Sequence, residues 1–125
     1  MAIQWFSTKD KRGTASFYST NITLNTIASV PFEYAYRVQV GIDDKGNVVI
    51  QPLSKDRVTR GDLDEYAIQQ ISVRKTYSRI SSTPLMTLIA EALEVEFSAD
   101  KPMKFVTTRD DKENILTIHT GKEDK

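Results

Sequence analysis

The chain has 125 residues, no cysteine, and 17 basic against 17 acidic side chains, so its formal net charge is zero. This length suits one compact domain with a core of its own. The lack of cysteine excludes disulfide bonds, thiol nucleophiles and nearly all structural zinc sites. The balanced charge argues against a surface that is basic throughout, although opposite faces can still differ in sign.

The N-terminal residues predict neither a targeting segment nor a membrane anchor. Met1–Phe6 lacks the basic start and the long apolar run of a signal peptide, and no stretch of the sequence approaches a membrane span. We therefore expect a soluble, cytoplasmic protein without a membrane partner.

The first half of the chain predicts a strand, a short helix and a β-hairpin. Residues 14–19 alternate small and aromatic side chains, as strands do. Leu24, Ile27 and Ala28 have helical spacing, and the proline that follows would end the helix. Strands are then expected at 34–42 and 47–51, on either side of an Asp-Asp-Lys-Gly-Asn turn.

The middle of the chain, residues 55–76, predicts a helical segment. Asp62 and Glu65 have the spacing of a capping box at a helix start. Apolar and large side chains follow at helical spacing, namely Leu63, Tyr66, Ala67, Gln70 and Ile71. Residues 71–80 fit either a strand or a turn.

A second helix begins at Thr83-Pro84, with threonine as the cap and proline in the first turn. Its apolar residues recur at helical spacing without a gap, which predicts one buried face. The residues of this predicted face are Leu85, Leu88, Ile89, Ala92 and Leu93.

The turn motif occurs twice, which suggests an internal duplication. Residues 110–114 read Asp-Asp-Lys-Glu-Asn and repeat residues 43–47 at an offset of 110 − 43 = 67. Each turn precedes an apolar strand and follows another strand and a helical pattern. We therefore expect one domain, 1–125, with halves at about 14–54 and 77–120 joined by 55–76. The alternative is chance convergence, since these residue types are common in turns.

Together these patterns predict an α+β fold. We expect an internal pseudo-dimer of two halves, each with a helix and a β-hairpin in a winged-helix-like arrangement, around a shared antiparallel sheet.

The sequence gives little support for catalysis. His119 is the single histidine, so a Ser-His-Asp arrangement would depend on it alone. Two adjacent carboxylate pairs, Asp43-Asp44 and Asp110-Asp111, are explained by turn chemistry, and the five glycines form no phosphate-binding loop. We predict that the protein is not an enzyme and uses no cofactor or metal.

The basic residues are the best candidates for a functional site. Those around 55–79 alternate with hydroxyl side chains, a mixture that suits contact with phosphate groups. The predicted DNA-binding residues are Lys9, Lys11, Arg12, Lys55, Arg57, Arg60, Arg74, Lys75 and Arg79. The alternative is a solvated, charge-balanced surface.

Two families resemble parts of this chain. Ile22-Thr23-Leu24, the short helix and the hairpin Asp43–Ile50 are similar to the swapped-hairpin DNA-binding domains of AbrB/SpoVT-type regulators. This resemblance covers roughly 20–52 and, more loosely, 78–119. Those domains are obligate dimers with a basic DNA surface, whereas this chain carries two copies and few arginines near the first hairpin.

The length, the lack of cysteine and the duplication also resemble TraN-like DNA-binding accessory proteins of Gram-positive conjugative transfer regions. This resemblance implies sequence-specific binding of double-stranded DNA, in plasmid transfer by type IV secretion or in transcription, with other transfer proteins as further partners. The protein would be a monomer with an internal two-fold or a homodimer. The alternative is a protein–protein adaptor that docks a partner through a sheet edge or through the acidic residues 91–100.

Overall fold

The computed structural model describes residues 2–6 and 12–121, and strands dominate this part of the chain. The strands are β1 (Thr14–Phe17), β2 (Asn21–Asn25), β3 (Arg37–Ile42), β4 (Val48–Leu53), β5 (Ile68–Gln69), β6 (Ser72–Val73), β7 (Tyr77–Ser81), β8 (Met103–Asp110) and β9 (Ile115–Ile118). The α-helices are α1 (Lys55–Thr59) and α2 (Thr83–Leu93), and short 3-10 helices span Val30–Phe32 and Glu65–Ala67.

All nine strands form one antiparallel sheet in the order β5-β3-β4-β9-β8-β1-β2-β7-β6. The edge strands β5 and β6 are separated in the chain only by residues 70 and 71. The sheet therefore curls into a half-barrel whose edges are joined by a short connection.

The predicted α+β, winged-helix-like pseudo-dimer is wrong, because the fold is β-rich and α2 is the one long helix among the described residues. The first predicted helix, which would begin at Leu24, is instead the end of strand β2, a turn at 26–29 and the start of the 3-10 helix Val30–Phe32. In β2, Ile22 and Leu24 are buried and their neighbours are half-buried. That alternation has the two-residue period of a strand. Pairing with β1 and β7 stabilises the strand and outweighs the local helical spacing of the sequence. The segment 55–76 is not one helix but α1, a 3-10 turn and strands β5 and β6.

Both repeated turns do connect β-hairpins, as predicted. Residues 43–47 join β3 to β4, and residues 111–114 join β8 to β9. The two hairpins are neighbours through β4 and β9. The chain segments 14–54 and 77–120 are interleaved, because β1 pairs with β8 and β2 pairs with β7. The division of the chain at these boundaries stays a prediction.

The core lies on the inner face of the curled sheet. Its largest fully buried side chains include Phe17, Phe32, Ile50 and Ile80, together with Met86 from α2. Within the described chain, no buried side-chain nitrogen or oxygen lacks a hydrogen-bond partner. The core is therefore apolar and its few polar groups are satisfied.

The predicted buried face of α2 is only partly correct. Leu85 and Ile89 are buried, but Leu88 is 64% exposed and Ala92 is also exposed. Met86, outside the predicted face, is almost fully buried. The helix sequence offers two overlapping apolar stripes, and packing against the sheet selects the one that contains Met86.

We expect Ile89→Ala to lower the free energy of unfolding by about 2–5 kcal/mol, because it leaves a cavity in the core. Leu88→Ala, one residue away, should change it by less than about 0.5 kcal/mol, as exposed sites do. Urea unfolding of the two variants measures the difference. Similar losses for both would show that α2 packs through a different face.

Candidate DNA-binding site

Strand register brings α1 and the β8–β9 turn to the same end of the sheet. β4 pairs with β9 through Ile50 and Leu116, and Arg109 of β8 lies opposite Leu116. Beyond Ile50, β4 ends at Leu53 and α1 begins two residues later. Helix α1 and the β8–β9 turn therefore lie at the edge of the sheet where β4 and β8 end and β9 begins.

Three arginines line a single open groove at this end, which we call the arginine groove. Arg57 and Arg60 come from α1 and its C-terminus, and Arg109 comes from β8. Gln51 and Asn114 also line the groove, whose volume is about 730 Å³. The groove thus combines positive charge with neutral hydrogen-bonding side chains.

Local hydrogen bonds fix the position of α1. Ser54 caps the helix, and its Oγ accepts a hydrogen bond from the backbone N–H of Arg57 at 3.1 Å. Thr59 donates its hydroxyl to the carbonyl of Lys55 at 2.7 Å. Gly61 follows with a φ of +75°, a conformation that glycine adopts without strain. These contacts place the arginines on a short but well-defined helix.

The arginine groove is positively charged. Glu33 is the one carboxylate that lines it, against three guanidinium groups. Arg109 pairs with Asp111, with 3.4 Å between Nε and Oδ1, and its Nη2 lies 3.5 Å from Oδ1 of Asn114. In residues 2–6 and 12–121, Arg57 and Arg60 form no salt bridge. Their guanidinium groups are therefore available to an anion.

Exposed aromatic side chains stand beside these arginines. Tyr34 lines the groove and is 91% exposed, and Val30 on the same wall is also exposed. The nearby Tyr36 is covered by the guanidinium of Arg37, whose central carbon lies 4.3 Å from the ring centre. Tyrosine and arginine are enriched at binding interfaces, so this composition favours a binding surface over an inert one.

The predicted cations do not all line this groove. Of the nine, Arg57 and Arg60 do, and the sequence prediction missed Arg109 and Tyr34. Lys9 and Lys11 lie outside the described residues. The cations that are described but do not line the groove are Arg12, Lys55, Arg74, Lys75 and Arg79.

These other cations are exposed, and their surroundings differ. Arg12 precedes β1, and its carbonyl accepts a hydrogen bond from Nδ2 of Asn25 at 2.6 Å. Arg74 and Lys75 form the β6–β7 turn, in which the N–H of Arg74 donates to the carbonyl of Tyr77 at 2.8 Å. Arg79 lies on β7 with its guanidinium carbon 5.2 Å from the ring centre of Tyr77.

The carboxylate pairs act as turn residues, as expected. Asp43 accepts hydrogen bonds from the backbone N–H groups of Lys45 at 2.9 Å and Asn47 at 2.8 Å. Asp110 accepts from the N–H groups of Lys112 and Glu113 in the second turn. Within residues 2–6 and 12–121, no three histidine or acidic side chains group as metal ligands would.

The single histidine, His119, contacts a hydroxyl group across the sheet. Its Nε2 lies 3.0 Å from Oγ1 of Thr108 on β8, and the side chain is half-buried. This contact is typical of a strand histidine that stabilises neighbouring strands.

Comparison of the chain with known protein families, with curated protein sequences and with solved structures gave no match. The resemblances to AbrB/SpoVT-type and TraN-like proteins therefore stay predictions. Among the described residues, no helix has the length and apolar character needed to cross a membrane.

The hydrogen bonds to Asp43, above all the one from the N–H of Asn47, lower the pKa of this carboxyl below its ordinary value of 3.8. A lowered pKa stabilises the fold at pH values above this ordinary value, and that stabilisation disappears as pH falls through the lower folded-state pKa. Asp43→Ala should therefore destabilise the protein at neutral pH. The difference in melting temperature from the wild type should shrink below about pH 4. Thermal unfolding from neutral to acidic pH measures this. A difference in melting temperature that does not change with pH would contradict this prediction.

Proposed function

We propose that the protein binds double-stranded DNA through the arginine groove. The observation that carries the proposal is the convergence of Arg57, Arg60 and Arg109 on one groove, with the first two free of salt bridges in the described structure. Arginine suits this role because its planar guanidinium group donates paired hydrogen bonds to phosphate oxygens.

Neutral groups in the groove support the same function. Gln51 and Asn114 line the groove, and side-chain amide groups commonly donate to the phosphates and sugars of DNA. The exposed ring of Tyr34 adds a hydroxyl group and an apolar face. In this proposal a strand end, a short helix and a hairpin turn contact DNA, and the winged-helix arrangement plays no part.

The zero net charge sets an expectation for the affinity. A protein without net positive charge gains little from long-range attraction, so binding depends on a few local phosphate contacts. Each contact contributes about −0.9 to the log–log slope of affinity against salt, so three arginine contacts give a slope of roughly −2.7. We therefore expect modest affinity that falls steeply with salt.

The test compares two triple variants by fluorescence anisotropy, with a labelled duplex and salt between about 50 and 200 mM. Arg57→Ala/Arg60→Ala/Arg109→Ala should weaken binding at low salt by more than about tenfold and bring the slope close to zero. The matched control, Lys45→Ala/Lys101→Ala/Lys104→Ala, removes the same charge from residues that do not line the groove.

The control should retain the salt slope of the wild type and most of its affinity. Equal losses in the two triple variants would show that overall charge, and not the groove, is responsible for binding. No binding of duplex DNA by the wild-type protein at low salt would reject the proposal.

A further inference from the structure

The outer face of the sheet carries a small cavity beside the arginine groove, which we call the glutamine slot. Gln39 of β3 and Gln51 of β4 line it and lie directly opposite each other in the strand register. Each alternates along its strand with a buried residue, Val38 or Ile50, so both glutamines point away from the core. The slot therefore presents two amide groups side by side on the outside of the sheet.

The other side chains that line the slot are aliphatic. Val49 and Ile115 are half-buried on β4 and β9, and Ala67 comes from the 3-10 helix that precedes β5. Gly41 leaves its part of the slot open, because it has no side chain. The volume is about 270 Å³. Pockets for drug-sized ligands measure about 300–1,000 Å³, so this slot suits a smaller ligand such as one heterocyclic ring system.

The glutamine slot is continuous with the arginine groove. Gln51 lines both of them. Asn114 lines the groove, and the next residue, Ile115, lines the slot. No charged side chain lines the slot in the described part of the chain. A phosphate held by the arginines would therefore have a neutral, ring-sized cavity next to it.

Amide groups between aliphatic walls have the chemistry that recognises a nucleobase. A glutamine amide both donates and accepts hydrogen bonds, and it pairs with N6 and N7 of adenine through two of them. Aliphatic side chains contact the faces of the ring. Within a duplex the neighbouring bases cover these faces, so a base enters such a cavity only when it is outside the stack.

We propose that the glutamine slot binds an unpaired adenine base while the arginine groove holds the neighbouring phosphates. This inference rests on the proposed function and specifies its ligand, which is duplex DNA that contains an unpaired nucleotide. An unpaired base enters the slot without the cost of breaking a base pair. The protein should therefore prefer such DNA to a fully paired duplex.

The test uses three labelled duplexes with the same flanking sequences, and fluorescence anisotropy measures their affinities. The first is fully paired, the second has a bulge of one adenine nucleotide, and the third has a bulge of one abasic nucleotide. The abasic bulge keeps the extra backbone unit without the base, so it separates recognition of the base from recognition of a bend. The wild-type protein should bind the adenine bulge at least about tenfold more tightly than either of the other two.

Two variants alter the slot without touching a residue of the arginine groove. Gly41→Val fills it, and a Cβ atom there would lie 3.8 Å from Cγ2 of Val49, an ordinary contact, so this strand position accepts the larger residue. Gln39→Leu removes one amide and keeps a similar volume. Both should bind the fully paired duplex as the wild type does and lose the preference for the adenine bulge. Val106→Leu, the matched control, enlarges an exposed side chain that does not line the slot, and it should keep the preference.

Three results would overturn the inference. Equal affinity of the wild type for the adenine and abasic bulges would do so and would leave the binding of paired DNA by the arginine groove standing. A preference for the adenine bulge that survives Gly41→Val would show that the base binds elsewhere. Absence of binding to all three duplexes would reject this inference together with the proposed function.

Discussion

The rest of the structure depends on the pairing of strand β8 along both of its sides. Met103–Val106 pairs with β1, and Thr107–Asp110 pairs with β9. This strand alone joins β5-β3-β4-β9 to β1-β2-β7-β6. Without it the chain would have two separate four-stranded sheets in place of one continuous curled sheet around a common core.

Close packing around β8 makes this junction specific. The ring of Phe105 meets Phe17 edge to face, with 5.3 Å between centres, on the inner side of the sheet. Thr107 donates its N–H to the carbonyl of Gly13 at 3.0 Å. A Cβ atom at Gly13 would collide with Oγ1 of Thr107, so a larger residue at this position would force the threonine side chain to move. The same strand carries Arg109, so the sheet junction and the arginine groove have a common support.

The sequence predicted the features that depend on neighbouring residues. Both hairpin turns follow from the local preference of Asp, Asn and Gly, and α2 follows from a long apolar repeat. The sequence predicts that Arg57 and Arg60 lie close together, because they are three residues apart in one predicted helical segment. The helical spacing of Leu24, Ile27 and Ala28 was misleading, because long-range pairing of β2 with β1 and β7 outweighs a weak local pattern.

Features that depend on distant residues were missed. β5 and β6 have two residues each, too few for any periodic signal. Arg109 comes close to Arg57 only through the β4–β9 and β8–β9 pairings, and sequence spacing gives no indication of them. The exposure of Leu88 likewise follows from the side of α2 that meets the sheet.

The central claim is that α1 and the β8–β9 turn form one DNA-binding surface at one end of the sheet. Titration of the isotope-labelled protein with duplex DNA, followed by backbone amide chemical shifts in NMR spectra, tests this most directly. The account predicts saturable shifts at residues 54–60 and 109–114 together, and unchanged amides along α2. Shifts confined to one of the two segments, or centred on α2, would contradict it.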